Sequence, residues 1–337
     1  MAPRVSLPQP PAGIPVLARG LAKRDFLSLH DLSESELNAL LDLTARVKAY
    51  PLAFSRSLEG RAGALIFEKP SLRTRVTFEV GLHQLGAQSI CLASTDIGLG
   101  RRESAPDIAR DLARWVDVLI VRTFSQQVLR EMALATEIPV INALSDLLHP
   151  CQIVSDLLTL RERRHRLAGL AVAYIGDGNN VAHSLIFGAA KTGIHLTLAT
   201  PPAYRPSRVI LEQAEADALR TGAVIRVVSD PAEAARNADV VYTDVWVPMG
   251  REEQAEQRLK DFAGFQVDSR LMSLARPDAH FMHRLPARRG EEVTAEVLDG
   301  PQSITVDQAA NRLPTHKAIL LALLTAPPLP FAGESLP

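Results

Sequence analysis

From Ala62 onward, short apolar runs alternate with stretches of helical periodicity, and the alternation occurs twice. Consecutive strands separated by helices run parallel, because a parallel return needs a long crossover. The pattern therefore predicts α/β architecture: two lobes, each a parallel sheet flanked by helices. In the first half the predicted strands are 62–67, 89–93, 118–121 and 139–142, with helices over 74–86, 107–115 and 128–136. A capping box, Ser33 with Glu36, opens an earlier helix whose apolar stripe is Leu37, Leu40, Leu41 and Leu43. A long helix from His149 to about residue 164 joins the halves. The second half predicts strands at 170–175, 195–199, 224–227, 240–243 and 279–282. Helices are expected over 182–191, 211–220, 231–237 and 254–262, and a last one over 308–324. Two such lobes place a ligand site in the crevice between them, at the carboxyl ends of the strands.

Five of the 23 prolines fall in the first 20 residues, which predicts an extended arm over 1–22. A second proline-rich tail covers 326–337. Between them the boundaries fall at 23–150 for a first domain, 151–307 for a second, and 308–325 for a helix returning to the first. With 37 basic and 38 acidic side chains there is no positive field for non-specific nucleic-acid binding. No uncharged apolar run is long enough to span a membrane. Prolines from Pro8 to Pro15 interrupt any secretory apolar block, and two cysteines cannot form a disulfide framework. Both features lead to the expectation of a reducing, cytoplasmic setting.

Six short motifs carry chemistry. Ser71-Leu72-Arg73-Thr74-Arg75 lies between a strand and a helix, where free backbone N–H groups and the helix dipole favour anions. Its hydroxyls and guanidiniums suit phosphate; a capped helix with solvated arginines is the alternative. His149-Pro150-Cys151-Gln152 begins the connecting helix and puts His149 and Gln152 on one face. Gly176-Asp177-Gly178-Asn179-Asn180 follows a strand as a dinucleotide turn does. Val181 stands where a third glycine is needed, and no ribose-binding acid follows the next strand, so a nicotinamide cofactor is not expected. Asp244-Val245-Trp246-Val247-Pro248-Met249-Gly250, His283-Arg284-Leu285-Pro286 and Asn311-Arg312 complete the set. The residue before a proline favours extended backbone, so Leu285 is expected to aim its carbonyl into the crevice. Cys91 reads as a core residue, and Cys151 lacks a neighbouring base. His280 and His283 fall on opposite faces of a strand, so no metal is expected there.

The order and spacing of these motifs resemble the aspartate/ornithine carbamoyltransferase family, most closely its ornithine branch, over residues from about 25 to 324. The resemblance implies a carbamoyl-phosphate-binding domain at 23–150 and an amino-acid (ornithine)-binding domain at 151–307. It implies that Ser71, Leu72 (through its backbone), Arg73, Thr74, Arg122, His149, Gln152 and Arg312 hold carbamoyl phosphate. Asn180, Asp244, Pro248, Met249, Arg284 and Leu285 would line the amino-acid site, with Arg122, His149 and Arg284 nearest the reacting atoms. The implied reaction is attack of the ornithine amine on the carbamoyl carbon, giving citrulline and phosphate for arginine biosynthesis. It would be carried out without cofactor or metal by a cytoplasmic homotrimer that binds neither nucleic acid nor membrane.

Two positions depart from that family's pattern. Pro248 stands in place of a serine and removes both a hydroxyl and a backbone N–H. Arg284 stands in place of a cysteine and puts a fixed cation beside the reacting amine. These changes leave open a different or modified amine substrate, or a silent paralogue that binds carbamoyl phosphate.

Overall fold

A computed structural model describes residues 24–325, apart from 94–96, 101 and 249, together with Leu21. The arms expected at 1–22 and 326–337 otherwise lie outside the described residues. The first lobe carries β1 (Ala62–Phe67), β2 (Gln88–Ala93), β3 (Val118–Arg122) and β4 (Val140–Leu144). All pair in parallel, in the order β2-β1-β3-β4. β3 and β4 are buried along their whole length, which is why they read as unbroken apolar runs. Cys91 lies half-buried on the edge strand β2, not in the core.

The first helix, α1 (Glu34–Ala49), starts at the capping box. Ser33 Oγ accepts from the Glu36 N–H at 3.1 Å, and the Glu36 carboxylate accepts from the Ser33 N–H at 2.7 Å. α2 (Leu72–Gln84), α3 (Ala105–Leu112) and α4 (Gln126–Ala135) follow β1, β2 and β3. α5 (Pro150–Arg164) joins the lobes and is buried on all sides from Pro150 to Leu160, because both lobes pack on it.

The second lobe carries β5 (Ala171–Ile175), β6 (His195–Ala199), β7 (Ile225–Val228), β8 (Val240–Thr243) and β9 (His280–His283). These are also parallel, in the order β7-β6-β5-β8-β9. Its helices are α6 (Asn180–Thr192), α7 (Arg208–Thr221), α8 (Pro231–Ala235), α9 (Ala255–Asp261), α10 (Ser269–Met272) and α11 (Ala295–Leu298). Inside α6, a Cβ at Gly188 would lie 2.7 Å from Ile153 Cγ2, so glycine lets α6 close on α5.

Every expected strand is present, with ends moved by at most two residues. The final helix is not continuous. It is split into α12 (Thr305–Ala310) and α13 (Arg312–Leu324), which meet at Asn311. Pro314 lacks an N–H and would clash with the carbonyl of Ala310 in an unbroken helix, so a new helix starts with proline in its first turn. Asn311 is fixed by bonds from its amide to Thr159 Oγ1 (2.9 Å) and Glu162 Oε2 (2.8 Å) on α5. α13 packs on α1, α2 and α5. One apolar core runs through Leu40, Leu157, Leu185 and Leu320, on α1, α5, α6 and α13.

In each sheet the strand order reverses beside the first strand. The reversal lies between β1 and β3 in one lobe and between β5 and β8 in the other. Loops on either side of such a point diverge to opposite faces and leave a crevice. The loops after β1, β5 and β8 hold three of the six motifs, Arg122 ends β3, and the other three motifs follow β4 and β9 or lie between α12 and α13.

Candidate active site

A cavity of about 480 Å³ lies between the lobes. Its first wall is the loop after β1 and the start of α2. α2 begins at Leu72, two residues earlier than the periodicity predicts, so Arg73 and Thr74 sit in its first turn. Ser71 occupies the N-cap position, but its side chain makes no capping bond. The hydroxyl and the first-turn N–H groups are therefore available to an anion.

Arg122 ends β3 and pairs in register with Phe67 at the end of β1, which brings it to the same wall. It is 7% exposed, and its Nε has no partner among the described residues. Arg312 arrives from α13 and donates to Thr74 Oγ1 at 2.6 Å, while its own Nε is unpartnered. Burial, then Arg284 and Arg312, push Arg122 down to about 9. Burial also pushes Arg312 down to about 10. Neither arginine nor Arg73 forms an ion pair among the described residues. Cationic donors buried without counter-ions are costly, and a bound dianion would relieve that cost.

His149 is the N-cap residue of α5, and its N–H donates to Ser184 Oγ at 2.8 Å. Burial, then Arg312, Arg284 and Arg122, hold its ring well below the ordinary histidine range. The imidazole is thus neutral at pH 7, with Nδ1 buried and unpartnered. Cys151 beside it donates to the Asn142 carbonyl at 3.3 Å, and burial pushes its thiol up to about 12, so it is no nucleophile.

The opposite wall comes from the second lobe. At Gly178 a Cβ would lie 2.3 Å from Pro206 N, so only glycine fits the close approach of the two loops. Asp177 pairs with Arg258, whose guanidinium lies 4.5 Å from the Tyr204 ring centroid. Asn179 caps α6 through Oδ1 and donates from Nδ2 to Asp244 Oδ2 at 2.9 Å. Asn180 lines the cavity and donates to the Ser145 carbonyl at 2.5 Å. The turn is thus held by partners from its own chain.

Thr243 and His283 are register partners in β8 and β9. The next residues, Asp244 and Arg284, leave the sheet side by side, and Arg284 Nε donates to Asp244 Oδ1 at 2.7 Å. The Asp244 carboxylate is fully buried. Leu285 is not extended as expected. Its φ is 56°, left-handed backbone that costs a leucine about 1–3 kcal/mol. Its N–H donates to His283 Nδ1 at 2.9 Å, and His283 Nε2 meets Glu292 Oε1 at 3.0 Å, which holds the turn. The Leu285–Pro286 peptide is cis.

Of the residues nominated from the sequence, Ser71, Leu72, Arg73, Thr74, Arg122, His149, Asn180, Pro248, Arg284, Leu285 and Arg312 line this one cavity. Gln152 and Asp244 are buried and do not line it, and Met249 lies outside the described residues. Lys69, Glu252 and Arg288 also line it and were not nominated. Lys69 stood two residues before the Ser71 motif, in the same loop, and that proximity was the available signal. Its Nζ sits 4.1 Å from the Phe124 ring centroid, and burial, then Arg122, lowers its pKa. Among the described residues, no group of three or more His, Cys, Asp or Glu could hold a metal, and no helix is long and apolar enough to cross a membrane.

Two family models match the chain. One is the carbamoyl-P binding domain of aspartate/ornithine carbamoyltransferase, over residues 24–162, and the other its Asp/Orn binding domain, over 168–323. The chain belongs to the aspartate/ornithine carbamoyltransferase family. Within this family it is 50% identical, over 306 residues, to an ornithine carbamoyltransferase of Symbiobacterium thermophilum, covering 90% of this chain and 99% of that protein. It superposes on the ornithine carbamoyltransferase structure from Pyrococcus furiosus with a TM-score of 0.88 at 43% identity, covering 90% and 98% of the two chains. The Gloeobacter violaceus ornithine carbamoyltransferase structure gives 0.81 at 46%, covering 89% and 98%. The two family models meet within the stretch 162–168, at the end of α5, so the cavity lies where one half of the family fold faces the other.

Proposed function

We propose that the protein transfers the carbamoyl group of carbamoyl phosphate to the side-chain amine of L-ornithine, giving L-citrulline and phosphate. The observation that carries this reading is the set of Arg73, Arg122 and Arg312 around one cavity, at a helix N-terminus, without carboxylate partners among the described residues. Ser71, Arg73, Thr74 and the Leu72 backbone would hold the phosphate. Arg122, Thr74 and the neutral His149 would donate to the carbonyl oxygen, and Gln152 would accept from the carbamoyl N–H₂. Asn180, Asp244, Pro248, Met249, Arg284 and Leu285 would form the amino-acid site. The neutral amine forms a bond to the carbamoyl carbon, negative charge builds on the oxygen, and the carbon–oxygen bond to phosphate then breaks. Phosphate carries away the electron pair of that bond and takes up the proton that the amine gives up, leaving as hydrogen phosphate. Donors fixed around both oxygens stabilise this charge more than that of the ground state.

The proposal extends to a reducing cytoplasm, which the two free thiols support, and to arginine formation by a homotrimer, which the motif resemblance implies. Incubating the protein with carbamoyl phosphate and a panel of amines is the test. Citrulline should form from ornithine, and Arg122→Gln should cut the rate by about 10²–10³. Absence of citrulline, with turnover of another amine, would overturn the ornithine assignment. One observation favours that second reading: Asp244, the acid that would take the α-ammonium group, is already bound by Arg284.

A further inference from the structure

Asp156 lies in the middle of α5, one turn beyond Gln152, with no exposure to water. Its Oδ1 accepts from Gln152 Nε2 and from Gln308 Nε2, each at 2.8 Å, and its Oδ2 accepts from the Tyr242 hydroxyl at 2.8 Å. A carboxylate only accepts, so both glutamines must turn their N–H₂ ends toward it. For Gln308 a second contact agrees with that orientation, because its Oε1 accepts from the His283 N–H at 3.0 Å. For Gln152 the consequence is an amide oxygen turned away from Asp156, buried and without a partner among the described residues. Such an acceptor is costly unless a ligand fills it. Gln152 shares the first turns of α5 with His149, which lines the cavity and whose Nδ1 also has no partner among the described residues.

We infer that Asp156 is a positioning residue that locks the Gln152 amide, so that its oxygen is presented to the N–H₂ of the carbamoyl donor. The inference rests on the reading of the cavity as a carbamoyl phosphate site. Through Gln308 and Tyr242 the same carboxylate ties α5 to β9 and β8, the strands whose ends carry Arg284 and Asp244. One buried group therefore holds the donor side and the acceptor side in fixed relation. Asp156 is ionised at neutral pH, although burial pushes it up to about 6 against its three hydrogen bonds.

Carbamoyl phosphate and acetyl phosphate carry the same charge and differ by an N–H₂ against a methyl group. Their dissociation constants should be measured for wild type and for Asp156→Ala. The wild type should prefer carbamoyl phosphate. The variant should lose about tenfold of that preference, the worth of one hydrogen bond, while acetyl phosphate binding changes by less than about twofold. In a Gln152→Leu background, Asp156→Ala should remove no further preference. If Asp156→Ala does not fold, Asp156→Val, which fills more of the space and offers no acceptor, should still lower the preference by about tenfold. An unchanged preference, an equal weakening of both ligands, or additive losses in the Gln152→Leu background would each overturn the inference and leave the donor site standing. A wild type that binds neither acyl phosphate would overturn the reading of the site as well.

Discussion

Arg284 and Asp244 form a buried ion pair at the edge of the cavity, and its energetics bear on which amine can bind. Removing one partner of such a pair usually costs about 3–5 kcal/mol, because the other charge is left buried. An amino acid's α-ammonium can reach Asp244 only by displacing the guanidinium. Arg284→Cys should therefore lower KM for ornithine by about tenfold or more, and it should weaken the unliganded protein toward urea in a way that ornithine reverses. An unchanged KM in steady-state kinetics would mean that Arg284 does not compete for Asp244. The sequence singles out both residues. It does not reveal that they touch, because contact depends on the register of β8 with β9, which no local pattern encodes. Leu285 departs from its expected conformation for a similar reason: the residue before proline prefers extended backbone, and the His283–Glu292 contact overrides that preference.

At the level of elements, the contact of α2 with α13 predicts how stability changes with pH. His316 on α13 stacks on Phe78 of α2, with centroids 3.9 Å apart and planes 12° from parallel, and its Nδ1 meets Thr77 Oγ1 at 2.8 Å. Burial, then Arg312, hold it well below the ordinary range. The folded pKa lies beneath the unfolded value of 6.5, so this stabilisation is complete above pH 6.5 and is lost as pH falls. Each such histidine adds about 1.4 kcal/mol per pH unit to the slope. Wild type should therefore lose about 1 kcal/mol more than His316→Phe between pH 6 and pH 5, read from urea midpoints. Asp156 acts in the opposite sense: its stabilisation is present below pH 3.8 and is lost as pH rises through about 6. That contribution cancels in the comparison. Equal slopes for the two proteins would show that His316 takes up its proton without unfolding. The strands were legible to within two residues because each is an apolar run bounded by turn residues. The last helix was not, because Ala309 and Ala310 before the break and Leu313 after it keep an apolar pattern across Asn311.

On the scale of the whole molecule, the two lobes and their parallel sheets follow from the alternation of runs in the chain. That the two reversals of strand order face one another does not, since it depends on how the finished sheets pack. The same packing leaves Leu72, Val76 and Ile90 exposed along α2 and the edge strand β2, with exposures of 73%, 45% and 46%. An apolar edge of this kind fits burial against a second chain. Sedimentation at micromolar concentration should give a mass of about 110 kDa, three times the 36.6 kDa of one chain. A mass near that of one chain would remove the trimer from the proposal. Finally, the hydrogen bond from Arg312 to Thr74 spans 238 residues of sequence. The anion cradle is thus closed by a side chain that leaves the ribosome long after the loop it completes. A polypeptide cut short before α13 would carry every earlier motif and still have no finished place for a doubly charged molecule, so a fragment ending there should not sequester substrate from intact copies.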